Sequence, residues 1–285
     1  DRNVISGGAN VGVVINTDSG QSTGNAIRGN YIGTNATGTA AVGNAAQGIW
    51  VNATNNTIGG TAANQGNVIS GTTVWVGIQL TPVASGTLVA GNTIGLNAAG
   101  TAALGNLGGG IYVQSANNTI GGTTTQAANV IAGNGSHGIW LTGTSATGNV
   151  VTGNYLGTNA AQTLSLGNTG AGILIELGAS NNRIGGTGSS DGNVIANNTG
   201  DGITVTDATS LQNALLRNTI YSNGGLAIDL DNNGVTANDN GDGDTGPNSL
   251  QNFPVLTSAL FTGSQLTIAG TLNSSASSYY RIEFY

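Results

Sequence analysis

The sequence predicts an all-β fold: a parallel β-helix (β-solenoid) of about eight rungs, followed by a short non-solenoid β segment. The main observation is a repeat. The phrase Asn30-Tyr31-Ile32-Gly33 returns nearly unchanged 62 residues later as Asn92-Thr93-Ile94-Gly95 and again as Asn154-Tyr155-Leu156-Gly157. The phrase Asn-Asn-Thr-Ile-Gly-Gly occurs from Asn55 and from Asn117, and it recurs from Asn181 with Arg183 in place of Thr. A fixed internal period indicates stacked supersecondary units, so the fold class follows from it.

Short packets of the form Gly-apolar-x-apolar justify the strands. Alternation with a period of two buries one face of a strand, and no helical period of 3.6 is present. The packets recur about every thirty residues, so the repeat holds two rungs. A β-sandwich would not keep such a unit. The predicted inward pairs are Val13/Ile15, Ile49/Val51, Ile78/Leu80, Ile111/Val113, Ile139/Leu141, Ile173/Ile175, Ile203/Val205 and Leu226/Ile228.

Two further packet types bring each rung to about three strands. One contains Ile27/Ile32, Ile58, Val89/Ile94 and Ile120, and the other contains Val68-Ile69, Val130-Ile131 and Val194-Ile195. Gly and Asn stand at the corners between packets. Asn tolerates left-handed backbone, and we expect side chains such as Asn30, Asn92 and Asn154 to hydrogen-bond along the axis.

Composition excludes several classes of function. Only 6% of the 285 residues are charged, the chain has no Lys and five Arg, and the net charge is −7. Nucleic-acid binding needs a basic surface, which this chain lacks. The absence of Cys excludes disulfides and Cys-ligated metals, and no apolar run approaches the roughly 20 residues that span a bilayer. We expect an extracellular or cell-surface protein, of which this chain, entering mid-repeat at Asp1, is a trimmed piece.

Several longer phrases carry a resemblance to a known family. They are GNYIGTNATGTAAVGN, NNTIGGT, GNVIS and GLAIDLDNNGVTANDNGDGDTGPNSLQNFPVLTSA. They resemble the repeats of secreted or surface-attached bacterial proteins with a right-handed, single-stranded parallel β-helix, similar to the pectate-lyase superfamily. The resemblance covers Asn3 to Ala259 and implies the fold alone, since that superfamily includes lyases, hydrolases, epimerases, adhesins and stalks.

The resemblance also divides the chain. Residues 1–250 would form the β-helix, and residues 251–285 a C-terminal β extension. The extension alternates like two strands, from Leu266 and from Tyr280 to Tyr285. In similar proteins such an extension begins a small β-sandwich module.

The rungs differ most in two outward columns. The first contains Trp50, Gln79, Tyr112 and Trp140, and we predict that these four residues bind a glycan. An aromatic ladder beside amide and hydroxyl groups suits sugar rings, which have an apolar C–H face and a hydroxyl edge. The alternative is that these residues favour β structure and are covered by loops such as 34–47.

Support for catalysis is thinner. The pectate-lyase pattern of calcium-binding acids with a catalytic Arg is not matched, because Arg28, Arg183 and Arg217 fall in other packets. A hydrolase needs two carboxylates, and the weak candidates are Glu176, Asp201 and Asp207. Rung counting places Asp229 in the second outward column, about 10 Å from Glu176. The single histidine, His137, stands just before Gly138 beside the same face, and it is interpreted as a surface residue and not as a catalytic base.

The acidic segment predicts a structural Ca²⁺ site. Asp229, Asp231 and Asn233 occupy positions 1, 3 and 5 of a loop with Gly234 at position 6, as in calcium loops. The pattern repeats imperfectly around Asp239, Asp242 and Asp244. So many like charges in one loop favour a bound cation. A solvated loop rich in Asx turns is the alternative.

The scaffold carries little ionisable chemistry, so the predicted function is a non-enzymatic extracellular β-solenoid. It would be a stalk, adhesin or fibre segment that binds a polysaccharide or cell-surface glycan. The alternative is a polysaccharide lyase or glycoside hydrolase acting on the same face. Ice binding would need regular Thr-x-Thr repeats, but Thr34, Thr61, Thr123, Thr158 and Thr187 recur without forming such an array. An open solenoid end also predicts end-to-end self-association.

Overall fold

The computed structural model describes residues 2–17 and 22–283, so Asp1, Phe284 and Tyr285 lie outside the described residues. The chain coils through three parallel sheets. Sheet A contains β1 Val4–Ile5, β4 Tyr31–Ile32, β7 Val68–Ile69, β10 Thr93–Ile94, β13 Val130–Ile131, β16 Tyr155–Leu156, β19 Val194–Ala196 and β22 Thr219–Tyr221. Sheet B contains β2 Val13–Asn16, β5 Ile49–Asn52, β8 Val76–Leu80, β11 Gly109–Val113, β14 Ile139–Thr142, β17 Ile173–Glu176, β20 Ile203–Val205 and β23 Ile228–Leu230. Sheet C contains β3 Ala26–Ile27, β6 Thr57–Gly59, β9 Leu88–Ala90, β12 Thr119–Gly121, β15 Val150–Thr152, β18 Arg183–Gly185 and β21 Ala214–Leu216.

Each strand pairs in parallel with the strand three places further along the chain, which is one turn of the coil. Sheets A and B have eight strands and sheet C has seven. The prediction of a parallel β-helix of about eight rungs is therefore confirmed. One assignment was wrong: Ile32 and Ile94 belong to sheet A, where each pairs with Ile69, and not with Ile27 of sheet C.

The core is a single column of inward side chains. Ile49, Ile78 and Ile139 of sheet B are fully buried, as are Ile58 of sheet C and Ile69 of sheet A. Burying one such side chain contributes about 1.5–3 kcal/mol. The inward side chains of all three sheets therefore stabilise the coil along its length, and the residue type at the outward positions can differ from rung to rung.

Asparagine ladders hold the corners in register. Asn67 Nδ2 donates to Asn92 Oδ1 at 2.9 Å, and Asn92 Nδ2 donates to Asn129 Oδ1 at 3.0 Å. The same ladder extends to Asn30 on one side and to Asn154 on the other. The predicted axial bonding of Asn30, Asn92 and Asn154 is thus present, with one further asparagine between each pair because the repeat spans two rungs.

The last rung has a different register from the one expected. Asp229 is level with Thr204, so it lies in the first outward column and not in the second with Glu176. The rung begins two residues later than its Gly225-Leu226 packet indicates. The expected spacing between Glu176 and Asp229 within one column was therefore wrong.

The segment after the last rung covers part of the coil and then leaves it. The turn Pro247–Leu250 brings Asn248 onto Asn213, whose amide N donates to Asn248 Oδ1 at 2.9 Å. Strands β24 (Val255–Thr262) and β25 (Gln265–Thr271) then form an antiparallel hairpin. The second expected tail strand is absent from residues 280–283, and its last two residues lie outside the described part.

Candidate functional site

The outward positions of sheet B form the predicted column. Strand register pairs Trp50 with Gln79, Gln79 with Tyr112, and Tyr112 with Trp140. Three strand spacings of about 4.8 Å therefore separate Trp50 from Trp140. All four side chains are partly exposed. Their role in glycan binding remains a prediction.

Two residues outside the predicted set join this column. The Trp75 ring lies 5.7 Å from the Tyr112 ring, and the Tyr112 ring lies 4.9 Å from that of Trp140, both edge to face. The His137 ring meets Trp140 in the same way at 5.5 Å. Edge-to-face pairs stabilise one another through their quadrupoles. We define the aromatic face as Trp50, Trp75, Gln79, Tyr112, His137 and Trp140.

The sequence contained a signal for Trp75, and it placed His137 beside this face without showing which ring His137 contacts. Extending the outward positions of β8 back from Gln79 by steps of two reaches Gly77 and then Trp75. Gly108 lies against it, since a Cβ on Gly108 would meet Trp75 Cα at 3.0 Å. His137 stands at the corner before β14, where alternation does not apply, so only the fold places it against Trp140.

Glu176 supports the end of the face. Its Oε1 accepts hydrogen bonds from Trp140 Nε1 at 2.8 Å and from Thr142 Oγ1 at 3.3 Å. These bonds fix the plane of the indole ring. Glu176 therefore orients Trp140 while leaving its second carboxylate oxygen without a bond to either residue.

Amide groups extend the polar edge of the face. Gln79 Nε2 donates to Gln114 Oε1 at 3.1 Å, and Gln79 Oε1 accepts from Gln47 Nε2. In the second outward column, Asn52 Nδ2 donates to Asn16 Oδ1 at 2.9 Å, and Thr81 Oγ1 donates to Asn52 Oδ1 at 2.6 Å. The rings are therefore bordered by hydrogen-bonding groups along the rod.

The long loops project over another sheet. A Cβ placed on Gly38 would lie 2.8 Å from the Tyr31 ring and 2.5 Å from Ala98 Cβ. The loop that contains Gly38 therefore packs on sheet A and on the equivalent loop two rungs further along, which contains Ala98. The final residue of the Gly38 loop, Gln47, reaches the aromatic face, where it hydrogen-bonds Gln79. The rings of Tyr112 and Trp140 are partly exposed.

Burial sets the protonation of two ring residues. Burial, and secondarily the charge of Glu176, raises the pKa of Tyr112 above its ordinary value, although a hydrogen bond with Thr142 opposes the shift. Tyr112 thus keeps its phenol proton. Burial lowers the pKa of His137. His137 is therefore neutral near pH 7, and its Nδ1 accepts a hydrogen bond from the Ala171 amide at 3.0 Å, which leaves the proton on Nε2.

The other catalytic candidates are engaged in structural bonds. Asp201 Oδ1 accepts from the Leu226 amide at 2.7 Å, and its Oδ2 accepts from Thr204 Oγ1 at 2.9 Å. Asp207 accepts from Thr209 Oγ1 at 2.6 Å and from the Leu177 amide. These two carboxylates therefore hold backbone or neighbouring side chains, as N-caps and Asx turns do.

The structure groups three of the six predicted calcium ligands. One carboxylate oxygen from each of Asp239, Asp242 and Asp244 lies within 4.8 Å of the others, the only such group of acidic or histidine side chains in residues 2–17 and 22–283. Asp244 Oδ1 is shielded from solvent and has no hydrogen-bond partner.

Asp229, Asp231 and Asn233 form a separate loop. Asp229 is buried and Oδ2 accepts from the Gly234 amide at 3.0 Å, whereas its Oδ1 has no hydrogen-bond partner. Asp231 is exposed and accepts from Asn233 Nδ2 at 3.0 Å. The two carboxylates therefore stand in different environments.

Comparison with known proteins returned no matching family model, curated protein or solved structure. Within the described part of the chain, no helix combines the length and the apolar character that crossing a bilayer requires.

Proposed function

We propose that this chain is a non-enzymatic segment of an extracellular or cell-surface β-solenoid, a stalk, adhesin or fibre, that binds a glycan along the aromatic face. The observation that supports this most is the contact chain of Trp75, Tyr112 and Trp140, which stays partly exposed on one side of the rod. Such rings bind the C–H faces of sugars, and the adjoining amides and hydroxyls bind their edges.

The same proposal places the chain among right-handed β-helices similar to the pectate-lyase superfamily. Three parallel sheets and continuous asparagine ladders support it. The low charge of 6% and the hydrogen-bonded polar corners are consistent with a long-lived extracellular scaffold.

Retention on a panel of immobilised polysaccharides tests this function. Trp140→Ala should weaken binding by about fivefold to a hundredfold, since removing a ring that stacks on a ligand costs about 1–3 kcal/mol in the related case of nucleic-acid bases. Trp50→Ala tests the far end of the face without disturbing ring contacts, because Trp50 meets no other described ring. Tyr221→Ala is the matched control, since this exposed aromatic lies on sheet A.

The same panel distinguishes binding from catalysis. We expect retention without new reducing ends and without unsaturated products. Product formation that Glu176→Gln abolishes would replace the proposed binding function with a hydrolase or lyase. Equal retention of wild type and Trp140→Ala would show that the glycan binds elsewhere.

We also propose a structural Ca²⁺ held by Asp239, Asp242 and Asp244. Hard cations prefer carboxylate oxygens, and a cation would neutralise three neighbouring charges. The shielded, unpartnered Oδ1 of Asp244 supports this, because a buried carboxylate oxygen without a partner is unfavourable. The ion would fasten the segment after the last rung, where the Asn252 amide also donates to Asp242 Oδ1 at 2.8 Å.

Thermal unfolding with and without a calcium chelator tests the metal. Calcium at a hundred times its Kd should stabilise the folded chain by about 2.7 kcal/mol and raise Tm. Asp244→Asn should abolish most of the calcium-dependent shift. Asp191→Asn, which removes an acid that pairs with Arg183 and lies outside this cluster, should keep it. An unchanged Tm at millimolar calcium would refute the site.

A further inference from the structure

The strands of sheet B, which carry the aromatic face, contain acidic residues and no basic residue. Sheet B carries two carboxylates, Glu176 and Asp229, and none of the five arginines of the chain lies in its strands. Arg183 lies in sheet C, and Arg2 stacks over Tyr31 of sheet A, 4.1 Å from its centroid. The chain has no lysine. Nothing on this face therefore offers a positive charge to a ligand.

The histidine of the face does not supply that charge. His137 Nδ1 accepts the Ala171 amide, so its only free ring function is the Nε2–H donor. The ring packs against Trp140. Protonation would place a hydrogen on Nδ1, which would then face the N–H group of Ala171. The hydrogen bond between the two residues would be lost. His137 thus keeps a neutral Nε2–H donor and has no positive charge to offer a ligand.

Glu176 adds a negative charge at the end of the aromatic contact chain, bonded to the indole that a sugar would stack on. A carboxylate on a sugar seated against Trp140 would be desolvated beside Glu176 without a counter-charge. Like charges brought together in this way oppose binding strongly. A neutral sugar instead gains an acceptor for its hydroxyl groups.

We infer that the ligand of the aromatic face is an uncharged polysaccharide and that the face excludes polyuronates. This inference rests on the proposed glycan-binding function and specifies its substrate class. Partly exposed rings supply stacking, Gln79 and Gln114 supply amide contacts, and Glu176 supplies both an acceptor and the discrimination against anionic sugars.

Matched polymer pairs that share a backbone and differ in the group at C6, a carboxylate in one member and a neutral group in the other, test the inference. The probes are polygalacturonate with its fully methyl-esterified form, and β-1,4-glucan with β-1,4-glucuronan, each measured by affinity electrophoresis at low and high salt. We expect one neutral member to bind at least tenfold more tightly than its uronate at low salt. Added salt should narrow that ratio, because screening weakens repulsion.

Two variants test whether Glu176 is the residue that discriminates against anionic sugars. Glu176→Gln keeps an acceptor oxygen for Trp140 but removes the charge, so the ratio of neutral to uronate affinity should fall severalfold. Asp191→Asn is the control, because the Asp191 carboxylate pairs with Arg183 of sheet C. The ratio of neutral to uronate affinity of this variant should equal that of the wild type.

The outcomes separate the two levels of the proposal. Uronate binding that equals or exceeds neutral binding, with or without calcium, overturns this inference and leaves glycan binding intact. A ratio unaffected by Glu176→Gln overturns the role of that residue and with it the inference. Failure of every polymer to bind refutes the proposed function itself.

Discussion

Replacing Asn129 with alanine removes one complete step of the asparagine ladder. Asn129 is fully buried and makes four side-chain hydrogen bonds to the ladder and its surroundings. Oδ1 accepts from both the amide and the side chain of Asn92. Nδ2 donates to Val89 O at 2.8 Å and to Asn154 Oδ1 at 2.9 Å.

The magnitude follows from what the substitution leaves behind. Each such bond contributes about 1 kcal/mol net, and a buried partner left unsatisfied costs about 1–3 kcal/mol. The Asn92 backbone amide, which is itself buried, loses its only side-chain acceptor at this corner. We therefore expect Asn129→Ala to lower the free energy of unfolding by about 3–5 kcal/mol.

Equilibrium denaturation in guanidinium chloride, followed by circular dichroism and tryptophan fluorescence, measures this loss. Both signals are needed because stacked repeats can unfold in parts. Asn97→Ala is the matched control: Asn97 Oδ1 caps its own loop by accepting from Thr101 N at 2.8 Å, and water can replace that bond. A loss below 1 kcal/mol for Asn129→Ala, or an equal loss for both variants, would refute the ladder as a source of stability.

Two further predictions concern the corners and the aromatic face. Gly33→Ala should cost well over 2 kcal/mol in an unfolding titration, because Gly33 has φ +81° and a Cβ there would lie 1.9 Å from Ser70 O. Gly100→Ala, with φ +66° and nothing within 4 Å, should cost only about 1–2 kcal/mol, and equal losses would contradict the steric reasoning. Burial lowers the pKa of His137 in the folded chain. As pH falls below about 6.5, His137 is therefore protonated more readily in the unfolded chain than in the folded one, which favours unfolding. The Tm of the wild type should therefore fall more steeply between pH 7.5 and pH 5 than that of His137→Asn, and parallel slopes would contradict this.

The regular part of the fold was predictable because each signal repeats. The alternation of apolar residues predicted which face of each strand is buried, and Gly and Asn at the corners predicted where strands end. Strands of two residues carry too little alternation to assign, which is why Ile32 was placed with the wrong sheet. In the last rung, Gly225-Leu226-Ala227-Ile228-Asp229-Leu230 alternates over six residues, and a shift of two keeps the same faces. Local pattern alone therefore could not choose the register.

The site was predictable only where it followed the strand pattern. Trp50, Tyr112 and Trp140 stand in the expected column, whereas the contact of His137 with Trp140 depends on how the corner folds. In the acidic segment, Asp231 and Asn232 have positive φ. The chain turns there, so alternation does not continue from Asp229 to Asn233. Asp239, Asp242 and Asp244 instead come together within one six-residue stretch of loop, which also accepts hydrogen bonds from Asn252.

Asp207 illustrates why the carboxylates near the end of the coil favour a structural role. A glycosidase needs one carboxyl group that stays protonated near neutral pH. Partial burial of Asp207 opposes ionisation, yet hydrogen bonds from Thr209, the Leu177 amide and Ser210 outweigh it and hold its pKa below the ordinary value. That shift is opposite to the one a general acid requires.

Asp207→Asn should therefore act on stability and not on ligand retention. The neutral amide is a weaker acceptor than a carboxylate for the Thr209 and Leu177 donors, so Tm should fall. Because the lowered pKa stabilises the fold above the unfolded value of about 3.9, the Tm difference from wild type should shrink as pH falls through and below that value. Retention on the polysaccharide panel should match that of the wild type. Loss of retention or of turnover at unchanged Tm would instead place Asp207 in a working site and revive the hydrolase alternative.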